Sequence, residues 1–173
     1  MIKVSFIGSG RMASAIVTGI LRNKCYTPDE VACTGGNDDT ATILSKKTGI
    51  SVFDSEKIPE LTSILILACK PQQLEQLSDT LATQSEGKII ISILAGTNLE
   101  KLKIKYPNAK VIVRSMPNTP GQIGKGITAY VPSEPLSSND QKIVENILGS
   151  LGKTLSVPEE KMDQVTALSG SGP

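Results

Sequence analysis

The stretch Ile2-Lys-Val-Ser-Phe-Ile-Gly-Ser-Gly-Arg-Met-Ala13 constrains this chain more than any other. A short, β-rich apolar run enters Gly8-x-Gly10-x-x-Ala13 directly. Met12, Ala15, Ile16, Gly19 and Ile20 then recur at helical spacing. Strand, glycine turn and helix in that order form the setting a dinucleotide fingerprint requires. Gly8 permits the tight exit from the strand, Gly10 leaves room for a pyrophosphate against the backbone, and Ala13 lets helix and strand pack closely. The uncapped N–H groups and positive dipole end of such a helix attract phosphate. A glycine motif alone is equally consistent with a plain tight turn, so the remaining chain has to decide.

That chain alternates. After a turn at Thr27-Pro-Asp-Glu30, strands are expected over 31–34, 50–53, 64–69, 89–94, 110–114, 127–131 and 153–157. Helices are expected over 39–47, 72–83, 139–151 and 159–168, with a weak turn over 55–61 interrupted by Pro59. Thr97-x-x-Glu100 reads as a capping box for a helix reaching Lys105. The run Ile64-Leu-Ile-Leu-Ala-Cys69 is apolar throughout, as in a strand covered on both faces. The pattern predicts an α/β chain with a doubly wound, mostly parallel, Rossmann-like sheet, helices on both faces, and the start of a C-terminal helix. Ligands in such sheets bind beyond the carboxyl ends of the strands. Those ends fall at Gly8, Thr34, Lys70, Ala95 and Arg114-Ser115-Met116.

Composition removes several function classes. The 173 residues suit one domain, or one and part of a second. A net charge of +1 with interspersed charges offers no electrostatic case for nucleic acid or an anionic membrane, and 3% aromatics leave no base-stacking platform. With no histidine there is no Ser-His-Asp triad, no His-ligated zinc and no imidazole acid–base chemistry. Cys25, Cys33 and Cys69 lack metal-ligand spacing and read as small apolar residues in a reducing compartment, Cys69 as an inert, buried thiol. The longest apolar runs are too short to span a bilayer, and the N-terminus has no secretory pattern. A cytoplasmic protein is expected.

The end of the second strand bears on cofactor choice. An NAD site usually places Asp or Glu there for the ribose hydroxyls. Here Thr34-Gly35-Gly36-Asn37 follows, and the first acid is Asp38. Small polar residues leave room for a 2′-phosphate, which favours NADP(H) with NAD(H) possible. Arg11, Lys46 and Lys47 are the candidate cations, although no arginine follows Thr34 directly. Met116-Pro-Asn-Thr-Pro120 is a stiff polar turn with Asn118 and Thr119 at its tip, read as a substrate-facing wall in preference to a purely structural turn.

Taken together, Phe6-Ile-Gly-Ser-Gly-Arg-Met12, Ala68-Cys-Lys-Pro71, Ser92-Ile-Leu-Ala-Gly96, Val113-Arg-Ser-Met-Pro-Asn-Thr-Pro120 and Asp163-Gln-Val-Thr-Ala-Leu-Ser-Gly-Ser-Gly-Pro173 closely resemble pyrroline-5-carboxylate reductase. The first two motifs are shared with many dehydrogenases. The Met-Pro-Asn-Thr-Pro and Ser-Gly-Ser-Gly-Pro pair is more specific. The resemblance implies NAD(P)H-dependent reduction of Δ1-pyrroline-5-carboxylate to L-proline. It also implies that Ile7, Gly8, Ser9, Gly10, Arg11 and Met12 hold the pyrophosphate, that Thr34 sits near the adenosine ribose, and that Ser55 is cofactor-binding, near a position where the family often has an asparagine contacting the cofactor. Ala68, Cys69, Lys70 and Pro71, with Ile93, Leu94 and Ala95 beside them, would line the nicotinamide ribose. Asn118, Thr119 and Ser171 would flank the substrate, Met116 and Pro117 the nicotinamide. Cys69 and Leu94 stand where the family usually has valine and alanine.

By the same resemblance, residues 1–158 would form the NAD(P)-binding domain and 159–173 the beginning of an all-helical domain that makes a homodimer or higher homo-oligomer. Most of that domain is absent, which marks either a fragment or a reduced relative. The chain alone is expected to bind NADPH and to reduce pyrroline-5-carboxylate poorly or not at all, and its last helix to expose an apolar face. The alternatives are another NADP-dependent reductase of similar plan, of the β-hydroxyacid or deazaflavin-linked type, and a nucleotide-binding regulatory domain without catalysis.

Overall fold

Apolar residues fill consecutive positions of the inner strands because both faces of the sheet are covered. In the computed structural model, which describes residues 1–36, 38–54, 57–77 and 79–170, the strands are β1 (Val4–Ile7), β2 (Val31–Thr34), β3 (Ser51–Phe53), β4 (Ile64–Leu67), β5 (Ile89–Ser92), β6 (Val111–Met116), β7 (Gly126–Pro132) and β8 (Gly152–Ser156). They form one sheet in the order β3-β2-β1-β4-β5-β6-β7-β8, parallel except for the antiparallel pair β6–β7. The order reverses direction at β1, between β2 and β4, so a crevice opens there at the carboxyl edge.

Side chains alternate between two cores. Ile64 and Ile66 of β4, Ile89 and Ile91 of β5 and Val111 and Val113 of β6 face one of them. There they meet Ile16, Val17 and Ile20 of α1 (Arg11–Arg22), Leu44 of α2 (Thr40–Thr48) and Val144, Ile147 and Leu148 of α6 (Ser138–Leu148). Leu65, Leu67, Ile90 and Ile112 face the other, with Ile58 of α3 (Ile58–Leu61), Leu81 of α4 (Asp79–Thr83) and Leu102 and Tyr106 at α5 (Leu99–Lys105). A smaller third cluster joins Ala129 and Val131 of β7 to Met162 of α7 (Met162–Val165). The doubly wound, mostly parallel α/β fold is the one the sequence predicts.

Several boundaries differ, each for a local reason. Residues 72–83 do not make one helix: a 3₁₀ turn at Pro71–Gln73 and the short α4 replace it. The leucines at 74 and 81 are buried from these separate short turns, and Ser78 lies outside the described residues. Of the turn expected over 55–61, residues 55 and 56 lie outside the described residues; Pro59 stands in the first turn of α3, where its missing N–H costs nothing. The cap of α5 is Asn98, not Thr97, its side chain accepting from the Lys101 amide at 3.0 Å. The helix expected over 139–151 ends at Leu148, and Gly149–Leu151 continues as 3₁₀. The helix expected over 159–168 is a 3₁₀ turn, the single turn of α7 and a π turn at Thr166–Gly170. It buries Met162 and leaves Leu168 exposed, so the expected apolar exposure is confined to its far end.

Candidate functional site

At the carboxyl end of β1 the chain turns sharply at Gly8, whose φ of +105° is closed to other residues at acceptable cost. A Cβ there would stand 2.7 Å from the Ala68 carbonyl oxygen, so β1 and the exit of β4 close together because Gly8 has no side chain. Gly10 differs: a Cβ on it would meet nothing within 4 Å. Gly10 is the N-cap of α1; no side chain caps that helix, and its first turn holds no acid. The result is a row of amides with a positive dipole, opening onto free space.

That space is a cleft of about 480 Å³ lined by Gly8, Ser9 and Gly10, by Gly36, Asp38 and Thr40 beyond β2, and by Ala68, Cys69, Lys70 and Gln73 beyond β4. Two cross-links set its wall. Gly8 N–H donates to Thr34 Oγ1 at 2.9 Å, and the Ser9 and Thr40 hydroxyls lie 2.7 Å apart. Thr40 gives its hydroxyl hydrogen to Asp38 Oδ1 at 2.6 Å, so Ser9 is the donor to Thr40. The Thr40 amide also donates to Asp38 Oδ1, at 3.1 Å. The Thr40 hydroxyl first, its amide next and Lys70 across the cleft hold the Asp38 carboxyl below the usual aspartate range, so it is ionised at neutral pH. On the opposite wall the Lys70 amide donates to Gln73 Oε1, which fixes the Lys-Pro turn. Burial pushes the Cys69 thiol up, which keeps it protonated. The residues present fit a dinucleotide: free amides and an open glycine face where its phosphates would lie, and hydroxyls with a carboxylate where a ribose would.

Of the residues singled out from sequence, Gly8, Ser9, Gly10, Ala68, Cys69 and Lys70 meet in this cleft, with Pro71 opening the turn beside it. Thr34 is buried behind it, and the Ile7 and Leu94 side chains belong to the core. Met12 and Ile93 pack against the other core, and Ala95 follows β5 at the same edge. Arg11 turns away: with Ser14, Ala15, Thr18, Gln122 and Lys47 it lines a separate cavity of about 230 Å³. Ser55 and Ser171 lie outside the described residues. Sequence reading missed Thr40 and Gln73, and noted Asp38 without assigning it to the site. The signal for Gln73 was its place two residues after Pro71, where a glutamine caps the turn.

A second constellation sits at the same edge of the sheet. Asn118 is buried, and both ends of its amide are taken: Oδ1 accepts from the Ile127 N–H at 3.0 Å, and Nδ2 donates to Ser169 Oγ at 3.1 Å. Thr119 is exposed at the start of a 3₁₀ turn, Thr119–Ile123. Arg114, 5% exposed, donates to Glu159 Oε1 at 2.6 Å and to Asp163 Oδ1 at 3.0 Å. Glu159 also accepts from the Leu99 amide, so one carboxylate ties β6, the start of α5 and the C-terminal segment together. Ser115 Oγ donates to the Ser92 carbonyl and closes the edge between β5 and β6. Among the described residues no cluster of metal-ligating side chains occurs, and no helix is long and apolar enough to cross a membrane.

Residues 3–96 match a family model described as NADP oxidoreductase, coenzyme F420-dependent. Pyrroline-5-carboxylate reductase of Synechocystis is 34% identical over 173 residues, covering 99% of this chain and 64% of the relative. A crystal structure of the Plasmodium falciparum pyrroline carboxylate reductase with NADP bound superposes with a TM-score of 0.86 at 30% identity, over 99% of this chain and 63% of that one. The Coxiella burnetii pyrroline-5-carboxylate reductase superposes with a TM-score of 0.91 at 28% identity, over 99% and 64%. The chain thus spans a little under two thirds of the length of these proteins.

Proposed function

The chain belongs to the NADP oxidoreductase, coenzyme F420-dependent, family, and from that premise we propose that it is the cofactor-binding part of a pyrroline-5-carboxylate reductase, using NADPH in preference to NADH to make L-proline. The observation that carries the substrate assignment is the bond between Asn118 and Ser169. It joins the two motifs that carry the likeness to pyrroline-5-carboxylate reductase in preference to other reductases of the same plan. The family model ends at residue 96, before either motif, whereas the likeness to the Synechocystis enzyme covers 99% of the chain.

The cofactor supplies the hydride. The chain's own residues bind, orient and exclude water. The amides of residues 10–12 would hold the pyrophosphate, and open space at Gly10 would let it approach. The adenosine ribose would lie against Asp38 and Thr40, with Thr34 buried behind them bracing the Gly8 turn. Residues 68–71, with the backbone of 93–95, would line the nicotinamide ribose, and the stiff turn at Met116–Thr119 would shield the nicotinamide face from water. A protonated cyclic imine is already electrophilic, so a chain without histidine loses nothing essential. Asn118, with both amide ends engaged, positions the turn, and Thr119 is the free hydroxyl at its tip. The division into residues 1–158 and 159–173, a homodimeric or higher assembly and a cytoplasmic location belong to the same proposal.

Fluorescence titration with NADPH and NADH tests the cofactor half. Saturable binding of both, tighter for NADPH, is expected, and binding of neither overturns it. Product analysis after incubation with NADPH and pyrroline-5-carboxylate tests the substrate half. Slow proline formation is expected of this chain alone; turnover of a β-hydroxyacid in its place sinks the assignment.

A further inference from the structure

We infer that Asp38 is a specificity-determining residue that limits discrimination between NADPH and NADH, and so keeps the cleft open to both. The inference rests on the cofactor reading above and adds a role for one side chain. Asp38 lines the cleft beside Gly36 and Thr40, past the end of β2, where a dinucleotide's adenosine ribose meets the protein. Thr40 holds its Oδ1 twice, through hydroxyl and amide, and Oδ2 has no hydrogen-bond partner among the described residues. A carboxylate so held accepts hydrogen bonds and donates none. The 2′-hydroxyl of NADH can donate to it, whereas the 2′-phosphate of NADPH brings a second negative charge against it.

The cations do not cancel this. Lys70 is the basic side chain lining the cleft, and it comes from the opposite wall after β4. Arg11 and Lys47 line a different cavity. The 2′-phosphate is therefore drawn by one lysine across the cleft and opposed by one fixed carboxylate beside it. Small residues at Gly35 and Gly36 leave room for the phosphate, and Asp38 sets how strongly that room is used.

Asp38→Asn tests this, since asparagine keeps an acceptor oxygen for Thr40 and removes only the charge. Asp39→Asn is the control: it removes the same charge one residue on, from a side chain outside the cleft lining. Dissociation constants for NADPH and NADH are measured by fluorescence titration on the parent chain and both variants. Asp38→Asn is expected to shift the affinity ratio towards NADPH by about fivefold, and the shift to shrink in molar salt, where close exposed charges are screened. Asp39→Asn is expected to move it less than about twofold. If Asp38→Asn misfolds by circular dichroism, Asp38→Ser, which keeps a cap-forming oxygen, takes its place with the same expectation. An unchanged ratio overturns the inference, as does an equal shift in Asp39→Asn. Failure of the parent chain to bind either dinucleotide overturns the cofactor reading itself.

Discussion

Asn118 and Ser169, 51 residues apart in the chain, are joined by a 3.1 Å hydrogen bond from the asparagine amide to the serine hydroxyl, while the same amide's oxygen accepts the N–H at the start of β7. One buried side chain thus fixes the Met116–Pro120 turn, β7 and the C-terminal segment in register. Asn118→Ala strands the Ile127 N–H and the Ser169 hydroxyl together. The expected loss is about 1–3 kcal/mol of stability, read from denaturant unfolding. Hydrogen exchange should speed up across 162–170 more than elsewhere. Asn118→Asp, which keeps the acceptor for Ile127, should recover part of the stability and little of the exchange protection.

The two fingerprint glycines should fail in different ways. Gly8→Ala places a Cβ 2.7 Å from a backbone oxygen at a φ of +105°. Neither the carbonyl nor the turn can give way cheaply, so a loss of roughly 2–4 kcal/mol is expected. Gly10→Ala adds a methyl to empty space on extended backbone. Its melting temperature should stay within a few degrees of the parent's, while NADPH binding weakens by about tenfold or more, equivalent to about 1.4 kcal/mol. Equal damage from both changes would count against the cleft as the dinucleotide site.

Arg114 tells a buried ion pair from a surface one. Its guanidinium is 6% exposed and bridges Glu159, at 35%, and Asp163, at 90%. Removing the exposed partner, Asp163→Asn, should cost under about 1 kcal/mol. Arg114→Met leaves the Glu159 carboxylate with only the Leu99 amide for company and should cost about 3 kcal/mol or more. Arg114→Lys should fall between, because an ammonium cannot reproduce the forked geometry. Denaturant unfolding of the three variants orders them.

The fold was legible where the pattern is redundant. Ile64-Leu-Ile-Leu67 has no polar position, which only a strand covered on both faces tolerates, and β4 lies in the middle of the sheet. That Gly8, Gly10 and Lys70 line one cleft was legible because they follow the ends of β1 and β4, where an α/β sheet puts its ligands. The direction of the Arg11 side chain was not: next to Gly10 in the fingerprint it looks like a phosphate ligand in sequence, but helical geometry sends it onto the outer face of α1, into the cavity that Lys47 also lines. Thr40 was invisible for the opposite reason. It opens a helix, an ordinary place for threonine, and enters the site only because β1 and β2 are adjacent strands that bring Ser9 within 2.7 Å. Short helices such as α4 carry too few residues to show a period.

The three cysteines should separate by labelling. Cys33 is fully buried in β2 and burial raises its thiol to about 11, so it should resist alkylation in the native state. Cys69 lines the cleft, and burial raises its thiol too. It should react slowly at neutral pH and more slowly still with NADPH present. Cys25, half-buried near the end of α1, should label first. Mass mapping after brief exposure to iodoacetamide reads all three sites at once, and fast, NADPH-insensitive labelling of Cys69 would contradict its place in the cleft.

Acid should destabilise the protein through a small number of identifiable carboxylates. Lys3 first, and then the Thr27 amide, hold Glu30 at about 2 against an ordinary value of 4.5. Asp140, buried at the start of α6, is also lowered, by Lys110 at 2.8 Å and then by Ser137. A carboxyl whose value is depressed on folding binds its proton more readily in the unfolded chain, so stability rises with pH through that window. The Glu30 contribution is therefore complete above about pH 4.5 and fades as pH falls towards about 2. Melting temperature should be flat near neutrality and drop below about pH 4.5. In Lys3→Met the leading cause of the Glu30 shift is gone, and the acid limb should become shallower. In Lys110→Met the buried Asp140 keeps only Ser137, so neutral-pH stability itself should fall, and part of the loss should be recovered as acid neutralises the stranded carboxylate. A Lys110→Met curve that runs parallel to the parent's at every pH would show that Asp140 does not couple folding to protons.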